Sequence, residues 1–245
     1  MIDMHTHLDL YPDALKILDK VNKDNLFTLA VTTSPRAWVA TSKVFEKYKN
    51  IHVSVGLHPE IVEAKANELD LLIECIKTTN FVGEVGVDGS NRFSKSLSLQ
   101  TRIFERVLQE CETQNGKIIS IHSRGAESTV LNLLSQYPNC GTAILHWFTG
   151  KVGELEKAIE LDCWFSINPT MCNTQKGLSL IAKMPKNRIL PESDGPFTTV
   201  KNNIVYPWEA INIVSTLEKI WQCNHSDIIL QLKINLNTIL GTTDK

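Results

Sequence analysis

Two histidines one residue apart, His5 and His7, open the chain in the run Ile2-Asp3-Met4-His5-Thr6-His7-Leu8-Asp9. Side chains of an extended strand alternate faces, so Asp3, His5 and His7 project to one side and Met4, Thr6 and Leu8 to the other. Two neutral imidazoles aimed at one point make half of a coordination shell for zinc, manganese, iron or a related divalent ion. His-x-His alone fits a polar strand end in water equally well, and what separates the two readings is whether more ligands follow.

They do. Glu84, His122, His146 and Asp194 join His5 and His7 to give four imidazoles and two carboxylates, a nitrogen and oxygen set able to hold two divalent cations. One arrangement puts His5, His7 and Asp194 on the first metal and His122 and His146 on the second, with Glu84 bridging. The chemistry open to such a site is in-line displacement at phosphorus by a metal-activated water, with no protein nucleophile. Glu84 and Asp194 are then the catalytic carboxylates, the first orienting the water and the second binding a metal and accepting the proton. His58, before Pro59, is a third catalytic candidate, touching a substrate phosphate or protonating the leaving group; a turn histidine satisfied by backbone is the competing reading. Arg124, following a ligand histidine, is a candidate to pair with a phosphate, a solvated or structural arginine being the competing reading, and Trp147, Phe148, Phe197 and Tyr206 are candidates for stacking on bases, with core packing the default for Phe148. Glu192 either orients a ligand or caps a loop, and Asp88, Asp3 and Asp9 orient histidines or set turns. His52 and His225 have no partners in the pattern and read as structural or surface residues.

These groups recur at the ends of apolar runs. Phe27–Thr33, Ile51–Leu57, Phe81–Asp88, Lys117–Ile121, Gly141–Leu145, Cys163–Ile167 and Arg188–Leu190 read as seven strands after the first. Between them lie helical spacings such as Leu15/Leu18/Val21, Trp38/Val44/Phe45/Tyr48, Leu69/Leu72/Ile73/Ile76, Ile103/Phe104/Val107/Leu108/Cys111 and Val152/Leu155/Ala158/Ile159, and a terminal Ile228/Leu232/Leu236/Ile239/Leu240. Eight alternating strands and helices predict an α/β fold of the (β/α)8 TIM-barrel type, as a single domain over residues 1–245. A barrel collects groups from the C-terminal ends of its strands, where His5, His7, His58, Glu84, His122, His146 and Asp194 fall. A doubly wound sheet is the alternative, but no Gly-x-Gly-x-x-Gly follows the first strand.

The composition is that of a globular protein, 42% hydrophobic and 21% charged over 245 residues. A formal net charge of −2 supplies no global basic field, so nucleic acid would have to be bound by a local patch or by metal-held phosphates. Six scattered cysteines form no Cys-x-x-Cys pair and read as reduced thiols. The metal strand begins at residue 2, which leaves no room for a signal peptide, and no apolar run approaches the ~20 residues of a membrane helix. A cytoplasmic protein is expected.

Asp3-Met4-His5-Thr6-His7-Leu8-Asp9, Gly56-Leu57-His58-Pro59, Gly83-Glu84-Val85-Gly86-Val87-Asp88, Ile121-His122-Ser123-Arg124, His146-Trp147-Phe148-Thr149-Gly150 and Glu192-Ser193-Asp194-Gly195-Pro196 resemble, in order, the motifs of the TatD-type metal-dependent deoxyribonucleases. Gln100 with Phe104, and Asn235 with Ile239-Leu240, are similar to that family's helix signatures. The resemblance implies a two-metal barrel, with Mg²⁺ or Mn²⁺ expected and Zn²⁺ the alternative, acting as a 3′ to 5′ exonuclease on single-stranded DNA. The chain is somewhat short for the family, Trp147 stands where a small residue or cysteine is common, and Gly89 where an aromatic is frequent. The motifs are also similar to those of the TatD-like component of the Qat anti-phage system, which implies protein partners in a defence complex. Two other functions compete. A small-molecule amidohydrolase often bridges its metals with a carboxylated lysine on the fourth strand, where this chain has Glu84; a non-catalytic subunit would not need an intact ligand set.

Overall fold

The computed structural model describes residues 1–241. In chain order the elements are β1 (Ile2–Thr6), α1 (Ala14–Asp24), β2 (Phe27–Val31), α2 (Pro35–Phe45), β3 (Ile51–Ser54), α3 (Val62–Lys65), α4 (Leu69–Ile76), β4 (Phe81–Gly86), α5 (Leu97–Thr113), β5 (Lys117–His122), α6 (Glu127–Gln136), β6 (Gly141–His146), α7 (Val152–Glu160), β7 (Trp164–Ile167), α8 (Pro169–Cys172), α9 (Gln175–Ile181), β8 (Ile189–Pro191), β9 (Thr199–Val200), β10 (Asn203–Ile204), α10 (Val214–Trp221) and α11 (His225–Gly241). The eight strands β1 to β8, alternating with helices, form the α/β TIM-barrel type of fold that the sequence pattern predicts. Among the described residues no helix is long and apolar enough to cross a membrane.

The chain divides into two compact units. One comprises Met1–Ala30, Glu46–His52 and the chain from Trp164 onward; the other comprises Val31–Phe45 and Val53–Cys163. In the first, β1 runs parallel to β2 through Ile2↔Phe27 and Asp3↔Thr28, and β7 parallel to β8 through Phe165↔Ile189 and Ile167↔Pro191. The segment after β8 is stitched back onto the first strand: Asp194 N–H donates to the His5 carbonyl at 2.8 Å, and His7 N–H to the Gly195 carbonyl at 2.8 Å. Asn235 on α11 docks the last helix, donating to the carbonyls of Lys186 at 2.9 Å and Ile189 at 2.7 Å. In the second unit β4, β5 and β6 are parallel neighbours, through Phe81↔Ile118, Val85↔Ile121, Lys117↔Gly141 and Ile121↔Leu145. Val82, Val85, Leu72, Ile76, Phe104, Val107, Ile118 and Leu145 bury their side chains there.

Local differences from the sequence pattern have physical causes. The third strand stops at Ser54 instead of reaching Leu57, with Val55 making a single bridge to Val82. Gly56 follows, where a Cβ would collide with the backbones of Thr32 and Glu84, so the chain can pass only as glycine. Helix α1 buries Ile17, Leu18 and Val21 and leaves Leu15 exposed. Leu15 lies about 115° round the helix from the centre of that stripe, too far to share it. Helix α2 likewise leaves Val44 exposed and buries Pro35, Thr41 and Phe45. The hairpin β9–β10, whose tip residues Lys201 and Asn202 both have positive φ, and helices α8 to α10 carry patterns too short to read from periodicity.

Candidate metal centre

The second unit gathers its ligand-type side chains on one oxygen. Glu84, two residues before the end of β4, is almost fully buried, and its Oε1 lies 2.8 Å from His122 Nδ1 at the end of β5, 3.0 Å from His146 Nε2 at the end of β6, and 3.2 Å from His58 Nε2. A carboxylate oxygen has two lone pairs, so three imidazole N–H groups are one more than it accepts well. His122 is more constrained still, because its Nε2 lies 2.8 Å from Asp88 Oδ2. A neutral imidazole has one N–H and one lone pair, so between two carboxylates it needs a second proton or a cation on the Glu84 side. Burial pushes the His122 imidazole down, but Asp88 and Glu84 outweigh it and raise the group above its ordinary value. Burial likewise opposes the Asp88 charge, yet bonds from His122 and Ser90 draw this carboxyl down to about 2. The donor set fits a divalent cation: imidazole nitrogens and carboxylate oxygens, closely spaced and dry.

Asp88 is itself fixed. Its backbone N–H donates to Gln100 Oε1 at 2.7 Å, and its Oδ1 accepts the Ser90 N–H at 2.8 Å. Gln100, fully buried on α5, in turn donates to Ser96 Oγ at 2.9 Å and the Phe93 carbonyl at 3.3 Å. His58 serves as the turn residue of its sequence reading and also faces the ligand-type cluster. Its Nδ1 accepts the Glu60 N–H at 3.1 Å, capping the turn before α3, which leaves the ring proton on Nε2 facing Glu84.

The first unit is built differently. His5 and His7 are buried, with ring centroids 5.3 Å apart at 74°, and their Nε2 atoms stand 3.6 Å and 3.9 Å from Asp194 Oδ1. Asp194 takes φ of 47°, a left-handed conformation uncommon outside glycine and the asparagine-like residues. Its place is set by Asp3, whose Oδ1 accepts the N–H groups of Ser193 at 2.9 Å and His5 at 3.2 Å, and whose Oδ2 accepts Ser193 Oγ at 2.6 Å. Complete burial raises the Asp3 carboxyl well above its usual range against the pull of these bonds. Glu192, also fully buried, accepts hydrogen bonds from Ser166 Oγ and, at 3.0 Å, from Asn168 Nδ2, with an oxygen within 4.8 Å of a His5 ring nitrogen.

Comparison with known proteins decides the family. The TatD related DNase family matches residues 2–241. The chain belongs to the TatD-related DNases. It is a metal-dependent hydrolase of phosphodiester bonds. The uncharacterized metal-dependent hydrolase BU355 of Buchnera aphidicola subsp. Acyrthosiphon pisum is 30% identical over 217 residues, 80% of this chain and 81% of that one. The 3′-5′ ssDNA/RNA exonuclease TatD of Edwardsiella piscicida is 30% identical over 155 residues, 59% of this chain and 57% of its own. The TatD homologue YJJV of Escherichia coli superposes with a TM-score of 0.87 at 20% identity, covering 98% of this chain and 97% of that one, a likeness of fold.

The other candidates of this TatD-related chain fall into three groups. Arg124 is exposed just past β5, and among the described residues no acidic side chain pairs with it. Trp147 is half-buried with φ of 39°, strained for a bulky residue and directly after His146. Phe197 is exposed and makes a T-shaped contact with His7, whereas Phe148 is fully buried in the core. Tyr206 is stacked with Tyr11 and Trp208, which engages its ring within the protein. His52 stacks on Phe27, and His225 pairs with Glu218 at the surface. The sequence reading missed the bracing roles of Ser90, Ser166, Asn168 and Ser193; only Ser193, inside the Glu192-Ser193-Asp194 motif, carried a signal that could have found it.

Proposed function

We propose that this TatD-related hydrolase is a 3′ to 5′ exonuclease that removes nucleotides from single-stranded DNA ends with two divalent ions, as one catalytic domain over residues 1–245. One observation carries the reading: His58, His122 and His146 converge on a single buried oxygen of Glu84, a set that a cation satisfies better than protons do. His5, His7 and Asp194 would hold one ion, and Glu84, His122 and His146 the other. Mg²⁺ or Mn²⁺ is the working pair, and the imidazole count keeps Zn²⁺ as the alternative. When bound, the ions supply a water of lowered pKa and positive charge for the phosphate oxygens.

The chain's own groups do the rest. Glu84 orients the attacking water and Asp194 accepts its proton. Asp88, by holding His122 Nε2, keeps Nδ1 turned to Glu84. His58 presents its Nε2–H to the phosphate or to the leaving oxygen, and Arg124 pairs with a phosphate beside Trp147. The enzyme acts in the cytoplasm within an anti-phage complex; its six scattered cysteines, read as reduced thiols, support the compartment, and the motif similarity to the TatD-like Qat component supports the role and its protein partners.

The test is an oligonucleotide labelled separately at its 5′ and 3′ ends, incubated with the chain in Mg²⁺, Mn²⁺ or EDTA beside an Asp194→Asn control. A ladder of shortening 5′-labelled fragments with early release of the 3′ label, absent from both controls, is the expected result. Cleavage that survives EDTA, or a folded, metal-loaded chain that cleaves no strand, overturns it.

A further inference from the structure

Phe197 is, among the described residues, the only Phe, Tyr or Trp side chain in the exposed range, at 61% of its surface. An exposed phenyl ring forgoes the burial that ordinarily places Phe inside a protein. Its surroundings show that it is not a stray surface residue. The ring makes a T-shaped contact with the imidazole of His7, at 5.0 Å between centroids and 83° between planes. The backbone that carries it is clamped: the N–H groups of Phe197 and Thr198 both donate to the Asp194 carbonyl at 3.1 Å, and Thr198 Oγ1 bonds to the Ser193 carbonyl. Val205 N–H returns to the Thr198 carbonyl at 3.1 Å, and Tyr11 OH anchors the Val205 carbonyl at 2.7 Å. A pinned turn thus presents a flat apolar ring beside a histidine and three residues after an aspartate of the ligand set.

We infer that Phe197 is the stacking platform for the nucleobase adjoining the scissile phosphate, an assignment that rests on the nuclease reading above. A phosphodiester bound at His5, His7 and Asp194 carries a planar base one sugar away, and a phenyl face accepts any base without reading its edges. Specificity of this kind is for a base, not for a sequence. It also favours single strands, because a base must leave its duplex stack before it can lie on the ring.

The experiment measures hydrolysis by the full chain of 3′-labelled oligonucleotides with ordinary bases, and of the same strands carrying an abasic tetrahydrofuran unit at the last or the penultimate position. On ordinary strands Phe197→Ala lowers kcat/KM by about tenfold to a hundredfold, chiefly through KM, and Phe197→Trp restores it. At one of the two abasic positions the wild type and Phe197→Ala converge to within about twofold, which identifies the stacked base. Melting of the variants checks that an exposed substitution leaves the fold intact. An equal loss on ordinary and abasic strands, or no loss on either, overturns the platform while the nuclease reading stands. A metal-loaded wild type that cleaves no strand overturns both.

Discussion

The two units organise the same kinds of side chain in opposite ways. In the unit containing β4 to β6, imidazoles and carboxylates touch directly, at 2.8 to 3.2 Å, and each position is set by another charged or polar side chain: Gln100 sets Asp88, Asp88 sets His122, and His122 faces Glu84. In the unit containing β1 and β8, the Nε2 atoms of His5 and His7 stand 3.6 and 3.9 Å from Asp194 Oδ1, and the strand that carries them is tied to the segment after β8 by backbone bonds at His5 and His7 and by the Asp3 carboxylate on Ser193. One set is braced by side chains, the other by the closure of the first strand on the last. Mutations of the bracing residues should therefore strike chemistry in one unit and folding in the other.

The sharpest break comes from Glu84→Gln, which removes the charge on which three imidazoles converge. Nuclease kcat/KM should fall about a thousandfold while the urea midpoint stays near that of the wild type. Retention of full rate would end the two-metal reading. Next in size is Asp3→Ala, which strands the buried donors of Ser193 and His5; the unfolding free energy should drop by about 3 kcal/mol, read by urea denaturation. An unchanged midpoint would mean that the first unit is not braced by closure. Asp88→Asn tests the contrasting side. An amide cannot hold His122 in the same protonation state, so Mn²⁺ affinity by calorimetry, or the rate, should fall about 10- to 100-fold with little loss of stability. The smallest effect is expected from Arg124→Ala, an exposed cation, with KM raised about fivefold at low salt and the difference shrinking as ionic strength rises.

Much of this was legible in the sequence because it is local. The strand order followed from apolar runs, and the ligand-type residues lie at or within a few residues of the ends of their strands. His58 shows the limit of that reading: the sequence left it between turn residue and functional group, and the fold puts one ring nitrogen on the Glu60 backbone and the other beside Glu84. Helix faces were less secure. Leu15 and Val44 matched an apolar spacing yet point outward, because the docked stripe is chosen by the neighbouring strands and not by spacing alone. Among the aromatic candidates, the sequence set Phe148 apart as a core residue, but residue type could not separate Tyr206 in an internal stack from Phe197 in solvent.

By itself the sequence determined which groups are available and in what order: four imidazoles and two carboxylates placed by hydrophobic runs of period two, and hence the fold type and the class of chemistry. Those depend on side-chain identity and on neighbours a few residues away. Tertiary structure alone decided what braces each group. Gln100 reaches Asp88 across 12 residues, Asn168 reaches Glu192 across 24, and Asp3 meets Ser193 across 190, and no periodicity records a hydrogen bond between residues that only the folded chain brings together.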